Sequence, residues 1–294
     1  MHFQKALIPM AGAAHRDLGL QHLATDASHT RHAVAIHIED LLAAGIRQVG
    51  LVIHPEAAPL LKDLASRFGS ALRFIEQPVP LGFGHAVLCA ESWINGEPFV
   101  VQVCDHVFIS YARESCVKQL IDLAVKEDCI VSAVQAHNER QLPYFGIIGG
   151  QRVRGEERLY QVDTVIEKPS PTVAEERCMI PGLRQGTYLG FFGMHALTPL
   201  VFERLRRCQT ELLRGEPLGL TEALATFGKC EKYLALEVRG QRIDLEGPLG
   251  MLRAQIALAL HGPRRDEVMA LLLEEVVQTQ ATQLRGVSTS DCRA

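Results

Sequence analysis

The sequence predicts an α/β protein: a three-layer, Rossmann-like fold with a mainly parallel, mixed central sheet and helices at its C-terminal end. Three observations carry the prediction. Apolar strand-like runs alternate with helix-period segments through the first half, which implies crossover helices laid on a parallel sheet. The 294 residues, 47% apolar and 22% charged, suit one large packed domain with at most an appendage. Later segments become strand-like runs punctuated by Gly and Pro, a pattern that extends the sheet with antiparallel or mixed pairs.

Taken in order, KALIPM (5–10) reads as a buried strand and HAVAIHIEDLLAAGI (32–46) as a helix closed by Gly45. RQVGLVIH (47–54) is a strand, followed by a helix over 56–68 and a strand at 71–77. A helix starting at Gly84 precedes the strand PFVVQVC (98–104). The second half offers strands at 129–137, 145–150, 159–169 and 186–195, a helix at 196–207 and a strand at 233–238. Two last helices, 247–262 and 266–280, have broad apolar faces suited to the body or to another subunit. The expected division is a main domain over 1–246, a helical extension over 247–285 and a polar, frayed tail over 286–294.

Several function classes are excluded at this level. A net charge of −4 provides no basic field for nucleic acid. No apolar run reaches the roughly 20 residues of a membrane span, and MHFQKALIPMAG lacks the features of a signal peptide. Eight scattered cysteines without a C-x-x-C pair point to a reduced, cytoplasmic protein. Histidines 15, 22, 29, 32 and 37 do not have metal-site spacing and read as surface and cap residues. No G-x-S-x-G elbow, Walker A motif or dinucleotide fingerprint is present.

The informative stretch is QPVPLGFGHAVLCAE (77–91). Gly82 and Gly84 precede a small-residue apolar run, so the backbone N–H groups of a helix start there can face phosphate or a carbonyl-rich ring. Gln77 just upstream can donate to and accept from a base edge. Asp105 ends one apolar strand and Asp244 ends GQRIDL; strand-tip aspartates can hold one magnesium ion with phosphate oxygens completing its shell. In Ile166-Glu167-Lys168-Pro169 the proline halts pairing, and strand alternation sends Glu167 and Lys168 to opposite faces. Glutamate can accept sugar hydroxyls; lysine can neutralise a phosphate.

Together, KALIPMAG (5–12), LLAAGIRQVGLVIH (41–54), LGFGHAVLCA (81–90), VCD (103–105), YFGII (144–148), VIEKP (165–169), LTEAL (220–224) and Asp244-x-x-Gly247-x-x-Gly250 resemble the sugar-1-phosphate nucleotidyltransferases. Within that family the likeness is to the uridylyltransferases acting on glucose 1-phosphate. The resemblance implies that Ala11, Gly12, Gln77, Gly82, Gly84 and Asp105 hold the nucleotide, and that Asp105 and Asp244 hold Mg2+ between the nucleotide and sugar phosphates. It implies that Gly146, Glu167 and Lys168 take the sugar and its phosphate. It further implies a nucleoside triphosphate and a sugar 1-phosphate as partners, in a homo-oligomer or paired with a paralogue.

The first loop departs from the family pattern. Where the family reads G-x-G-T-R, this chain has Gly12-Ala13-Ala14-His15-Arg16, which keeps only the first glycine and the arginine. The following P-K motif is absent, and segment 17–32 contains no lysine. Arg16 and Lys168 are therefore the expected catalytic cations. The alternative reading is a relative that binds a nucleotide sugar or regulates an active paralogue.

Overall fold

The structure, a computed structural model, describes residues 1–24, 30–213, 215–228 and 231–288. His29, Cys230 and Cys292 lie outside the described residues, as does the end of the expected tail. Strand β1 (Lys5–Pro9) leads directly into a short helix α1 (Ala13–Gly19), which the sequence pattern does not signal. A small ribbon, β2 (His22–Ala24) and β3 (Thr30–His32), precedes α2 (Ala33–Ala43) and β4 (Gln48–Ile53). The expected helix over 56–68 is divided: a 3-10 stretch Pro55–Leu61, containing Pro59, gives way to α3 (Lys62–Phe68). A proline inside the run removes one helical N–H and favours this tighter winding. Then come β5 (Leu72–Glu76), α4 (Phe83–Cys89), α5 (Glu91–Ile94) and β6 (Phe99–Gln102). β5, β4, β1 and β6 lie side by side and all parallel.

Alternation along β1 accounts for the three layers. Ala6 and Ile8 belong to the apolar cluster that contains Val34, Ile38 and Leu41 of α2. Leu7, between them, belongs to the cluster on the other face with Ala86 and Val87 of α4. Both faces are thus dry, as a parallel sheet requires. Each fully buried aliphatic side chain of this kind contributes about 1.5–3 kcal/mol.

The second half begins with β7 (His106–Ser110) and α6 (Cys116–Glu127), both beyond the sequence-based assignment. Helix α6 is nonetheless well specified: the Ser115 side chain accepts from Lys118 N, and Val117, Leu120, Ile121 and Ala124 form its buried face. β8 (Ile130–Asn138), β9 (Gly146–Arg152), β10 (Leu159–Glu167), α7 (Pro171–Arg177) and β11 (Thr187–Leu197) follow. The helix expected from residue 196 starts later, because β11 continues to Leu197 to pair with β6. The chain finishes with α8 (Leu200–Glu211), α9 (Thr221–Ala225), β12 (Tyr233–Glu237), β13 (Gly240–Asp244), α10 (Gly250–Leu260) and α11 (Arg265–Ser288).

The main sheet has nine strands in the order β5-β4-β1-β6-β11-β8-β12-β10-β9. β11 is antiparallel to both β6 and β8, and with β9 and β10 it widens the parallel block into a mixed sheet. β13 pairs antiparallel with β7 in a separate two-stranded ribbon that α10 covers through Met251, Ala254 and Leu258. α11 runs through Gly286 to Ser288 and exposes Leu271, Leu273, Val276 and Val277. Among the described residues no helix is long and apolar enough to cross a membrane.

Candidate active site

The strand ends deliver the two aspartates to one place. Asp105 occupies the turn between β6 and β7, and β13 runs antiparallel to β7 with Asp244 opposite His106. Leu245 N donates to Asp105 O at 3.0 Å, which ties the two tips together. Both aspartates line a cleft of about 550 Å³ whose other wall carries Gly146, Glu167 and Lys168.

That second wall is built by register. Gly146 on β9 stands opposite Glu167 on β10. A Cβ at Gly146 would lie 2.8 Å from the Phe191 ring and 3.0 Å from Glu167 Oε2, so the missing side chain makes room for the carboxylate. Thr221 Oγ1 donates to the same Oε2 at 2.7 Å. The expected opposite-face arrangement of Glu167 and Lys168 is corrected here. β10 ends at Glu167, and Lys168 takes a left-handed φ of 44°, its N–H donating to Phe145 O. The strand's alternation stops one residue early, so both side chains border the cleft. Ser170 then caps α7 by accepting from Val173 N at 3.4 Å, with Pro171 in the first turn. A non-glycine residue held at positive φ costs about 1–3 kcal/mol, a feature found at functional positions. Among the described residues Lys168 makes no ion pair, so its ammonium is available to an anion.

A smaller cavity of about 150 Å³ opens beside the cleft and is lined by Ala11, Gly12, Gln77 and Gly82. Gln77 is 2% exposed; its Nε2 donates to Gly82 O at 3.2 Å and to His85 Nδ1 at 2.8 Å. The amide therefore holds the glycine turn as well as bordering the cavity. Gly84 does not line either space. Its N–H donates to Leu218 O at 2.8 Å, and a Cβ there would collide with the Gly219 carbonyl. The expectation of bare N–H groups at this helix start is thus corrected: the 217–219 segment runs along the turn and occupies it. Gly82, at φ 101°, is likewise pressed against Leu218 backbone. Arg16 is not brought to either cavity; its Nε donates to Asp17 Oδ1 at 2.9 Å.

His15, Gly82 and Phe83 border both spaces, so the cavity and the cleft meet at this seam. His15 Nε2 lies 3.6 Å from Asp105 Oδ2, and His106 Nδ1 donates to Asp105 Oδ1 at 2.6 Å. Burial pushes the Asp105 pKa up, but the His106 hydrogen bond and the nearby His106 and His15 charges outweigh it and hold the carboxyl below its usual value. Beneath lies His37, 1% exposed and bonded to Gln102, with a pKa that burial lowers to about 4. His195 on the cleft floor bonds Ser132, which bonds Tyr233; burial lowers its pKa to about 3. Arg242 leans over the Phe145 ring at 3.9 Å and donates to Phe191 O at 2.6 Å; burial lowers its pKa to about 10. His106, Thr221, His195 and Arg242 are site residues that sequence reasoning did not find. Arg242, two residues before Asp244 on one strand, had the clearest signal: strand alternation puts both on one face.

Five carboxylates border the cleft (Asp105, Glu167, Glu222, Asp244 and Glu246) against two permanent cations, Lys168 and Arg242. Such a surface repels phosphates unless a cation enters with them. Among the described residues no group of three or more His, Cys, Asp or Glu side chains is arranged to hold a metal ion by itself. Two carboxylates at an open cleft instead fit a hard divalent cation that keeps its other positions for water and phosphate oxygens.

A family-wide sequence model described as "Nucleotidyl transferase" matches residues 28–233. The chain belongs to the nucleotidyl transferase family. The match takes in Gln77, Asp105, Gly146, Glu167 and Lys168, while the altered first loop and Asp244 lie outside it. The chain is 31% identical over 219 residues to a UTP–glucose-1-phosphate uridylyltransferase of Streptococcus pneumoniae serotype 4, covering 73% of this chain and 68% of that protein. It is 32% identical over 212 residues to one from Streptococcus pyogenes, covering 71% and 64%. About two thirds of the length of these curated relatives is therefore spanned. Among solved structures, a UTP-bound UGPase from Acinetobacter baumannii superposes with a TM-score of 0.70 at 23% identity, over 93% of this chain and 99% of that one. The likeness confirms the nucleotidyltransferase-type α/β fold.

Proposed function

We propose that this nucleotidyl transferase joins UTP to glucose 1-phosphate, giving UDP-glucose and pyrophosphate. A phosphate oxygen of the sugar phosphate attacks the α-phosphorus of the nucleotide. The bond from that phosphorus to the bridging oxygen breaks, and pyrophosphate leaves with the electron pair. The observation that carries this reading is the meeting of Asp105 and Asp244 across one cleft from Gly146, Glu167 and Lys168. The names of the matching Streptococcus relatives support UTP and glucose 1-phosphate as the substrates.

In this reading the base enters the small cavity against Ala11, Gly12, Gln77 and Gly82. The sugar meets Glu167, oriented by Thr221, and its phosphate meets Lys168. Asp105 and Asp244 would hold Mg2+, which when bound neutralises and aligns phosphate oxygens. The protein's own contribution is positioning and fixed charge rather than covalent chemistry. Free, scattered cysteines support a reducing cytoplasm as the setting, and the exposed apolar side chains of α11 support self-association.

Purified protein given UTP, glucose 1-phosphate and magnesium should release pyrophosphate, and a chelator should stop it. Absence of release with every common nucleoside triphosphate and several sugar 1-phosphates would overturn the reading. A relative confined to binding gains no separate structural support, because Asp105, Asp244, Glu167 and Lys168 all border one cleft.

A further inference from the structure

The seam between the small cavity and the cleft is narrow in composition: His15, Gly82 and Phe83 are the residues that border both. A nucleotide whose base lies in the cavity and whose reacting phosphate lies near Asp105 must cross this seam. Of the three, Gly82 has no side chain and Phe83 has no polar one. His15 alone can offer a side-chain N–H.

The setting keeps that N–H available. The ring lies over Gly12, where an added Cβ would be 3.1 Å from His15 Nδ1. The glycine at 12 leaves room for the imidazole beside it. The other nitrogen, Nε2, points toward Asp105 but stays 3.6 Å from Oδ2, beyond hydrogen-bond length. Among the described residues the ring makes no hydrogen bond, its one charged neighbour is Asp105, and its side chain is half-exposed. The backbone beneath it packs on the strand end that carries Asp105: the buried Cys104 Sγ lies 3.4 Å from both His15 O and Pro9 O, and can donate to either. Arg16, the neighbouring cation, is engaged with Asp17 and borders neither space.

We propose that His15 is a catalytic residue of this chain, donating an imidazole N–H to the α-phosphate at the seam where the loop's second glycine and its lysine are missing. The inference rests on the nucleotidyl-transfer reading and adds a residue to it. A donor aimed at a reacting phosphate contributes most in the transition state, so its removal should lower kcat more than it raises KM.

Two measurements test it. First, binding of uridine and of UMP is compared in the native protein, His15→Ala and His15→Gln. Loss of one hydrogen bond to a charged group should weaken UMP by about tenfold or more in His15→Ala and leave uridine unchanged, with His15→Gln between the two. Second, pyrophosphate release by His15→Ala should fall about a hundredfold in kcat, with recovery in His15→Gln. UMP binding by His15→Ala equal to native, or equal losses for uridine and UMP, overturns the role of His15 and leaves the transferase reading standing. Failure of the native protein to bind UMP at all overturns both. The half-exposed position of His15 on α1 means the substitutions should leave Tm unchanged, and a fall in Tm matched by loss of uridine binding also counts against the proposal.

Discussion

The two walls of the cleft are held by different physics. The wall proposed to take the sugar, β9 and β10 with the Lys168 turn, is fixed by backbone register: Gly146 faces Glu167, Thr221 bonds Glu167, and Lys168 is held at positive φ by the Phe145 carbonyl and the cap of α7. The wall proposed to take the nucleotide is fixed by a distant segment, because residues 217–219 lie against Gly82 and Gly84 and use the Gly84 N–H. The first wall keeps the glutamate and lysine of the E-K-P motif, whereas the first loop of the second lacks the family's second glycine, its threonine and the lysine that follows. Register tolerates little change, since a one-residue slip reverses every side chain. A loop that only wraps a ligand can exchange residues so long as some donor reaches the phosphate.

Four experiments would sharpen or break this contrast. Asp105→Asn removes the charge shared by both walls and should reduce turnover by about a thousandfold, read as pyrophosphate release, with UMP binding largely retained. An activity loss under tenfold would mean that Asp105 is not at the reacting centre. Lys168→Ala, on the register-held wall, should lower kcat/KM by about a hundredfold, chiefly for glucose 1-phosphate. Comparable losses for both substrates would show that the walls do not divide the ligands.

Gly84→Ala strikes the other wall through packing, because the new methyl meets the Gly219 carbonyl. It should cost about 1–3 kcal/mol in urea unfolding and weaken uridine before it weakens glucose 1-phosphate. An unchanged midpoint would mean that the 217–219 segment moves freely.

The fourth concerns pH. His37 and His137 have pKa values lowered to about 4 and His195 to about 3, all by burial. With folded values below the ordinary 6.5, these groups contribute stability that is present above that pH and lost as pH falls toward 4 and 3. Asp40, raised by burial to about 6, acts in the opposite sense and offsets one of the three as pH falls from 6 toward 3.8. Unfolding free energy should therefore drop by a few kcal/mol between pH 7 and pH 5, and His195→Phe should flatten that slope. A slope of zero would place the cleft floor in contact with water.

Much of this was legible in the sequence. The alternation of apolar runs such as KALIPM and RQVGLVIH with helix-period segments identified the parallel block, and the strand-end positions of Asp105 and Glu167 marked where chemistry would collect. Helix α6 was missed although its apolar spacing and Ser115 cap were present, because the polar residues between them weaken the visible stripe. The placement of Lys168 was misjudged because strand alternation ended one residue sooner than the apolar pattern suggested.

By itself the sequence determined the layer architecture and the residue types of the site, since period and composition act locally along the chain. Only the tertiary structure decided that Asp244 would sit beside Asp105, that Gly84 would be taken up by the 217–219 segment, and that His15 rather than Arg16 would border the seam. Those outcomes depend on strand pairing and packing between segments far apart in the chain, which no local pattern encodes.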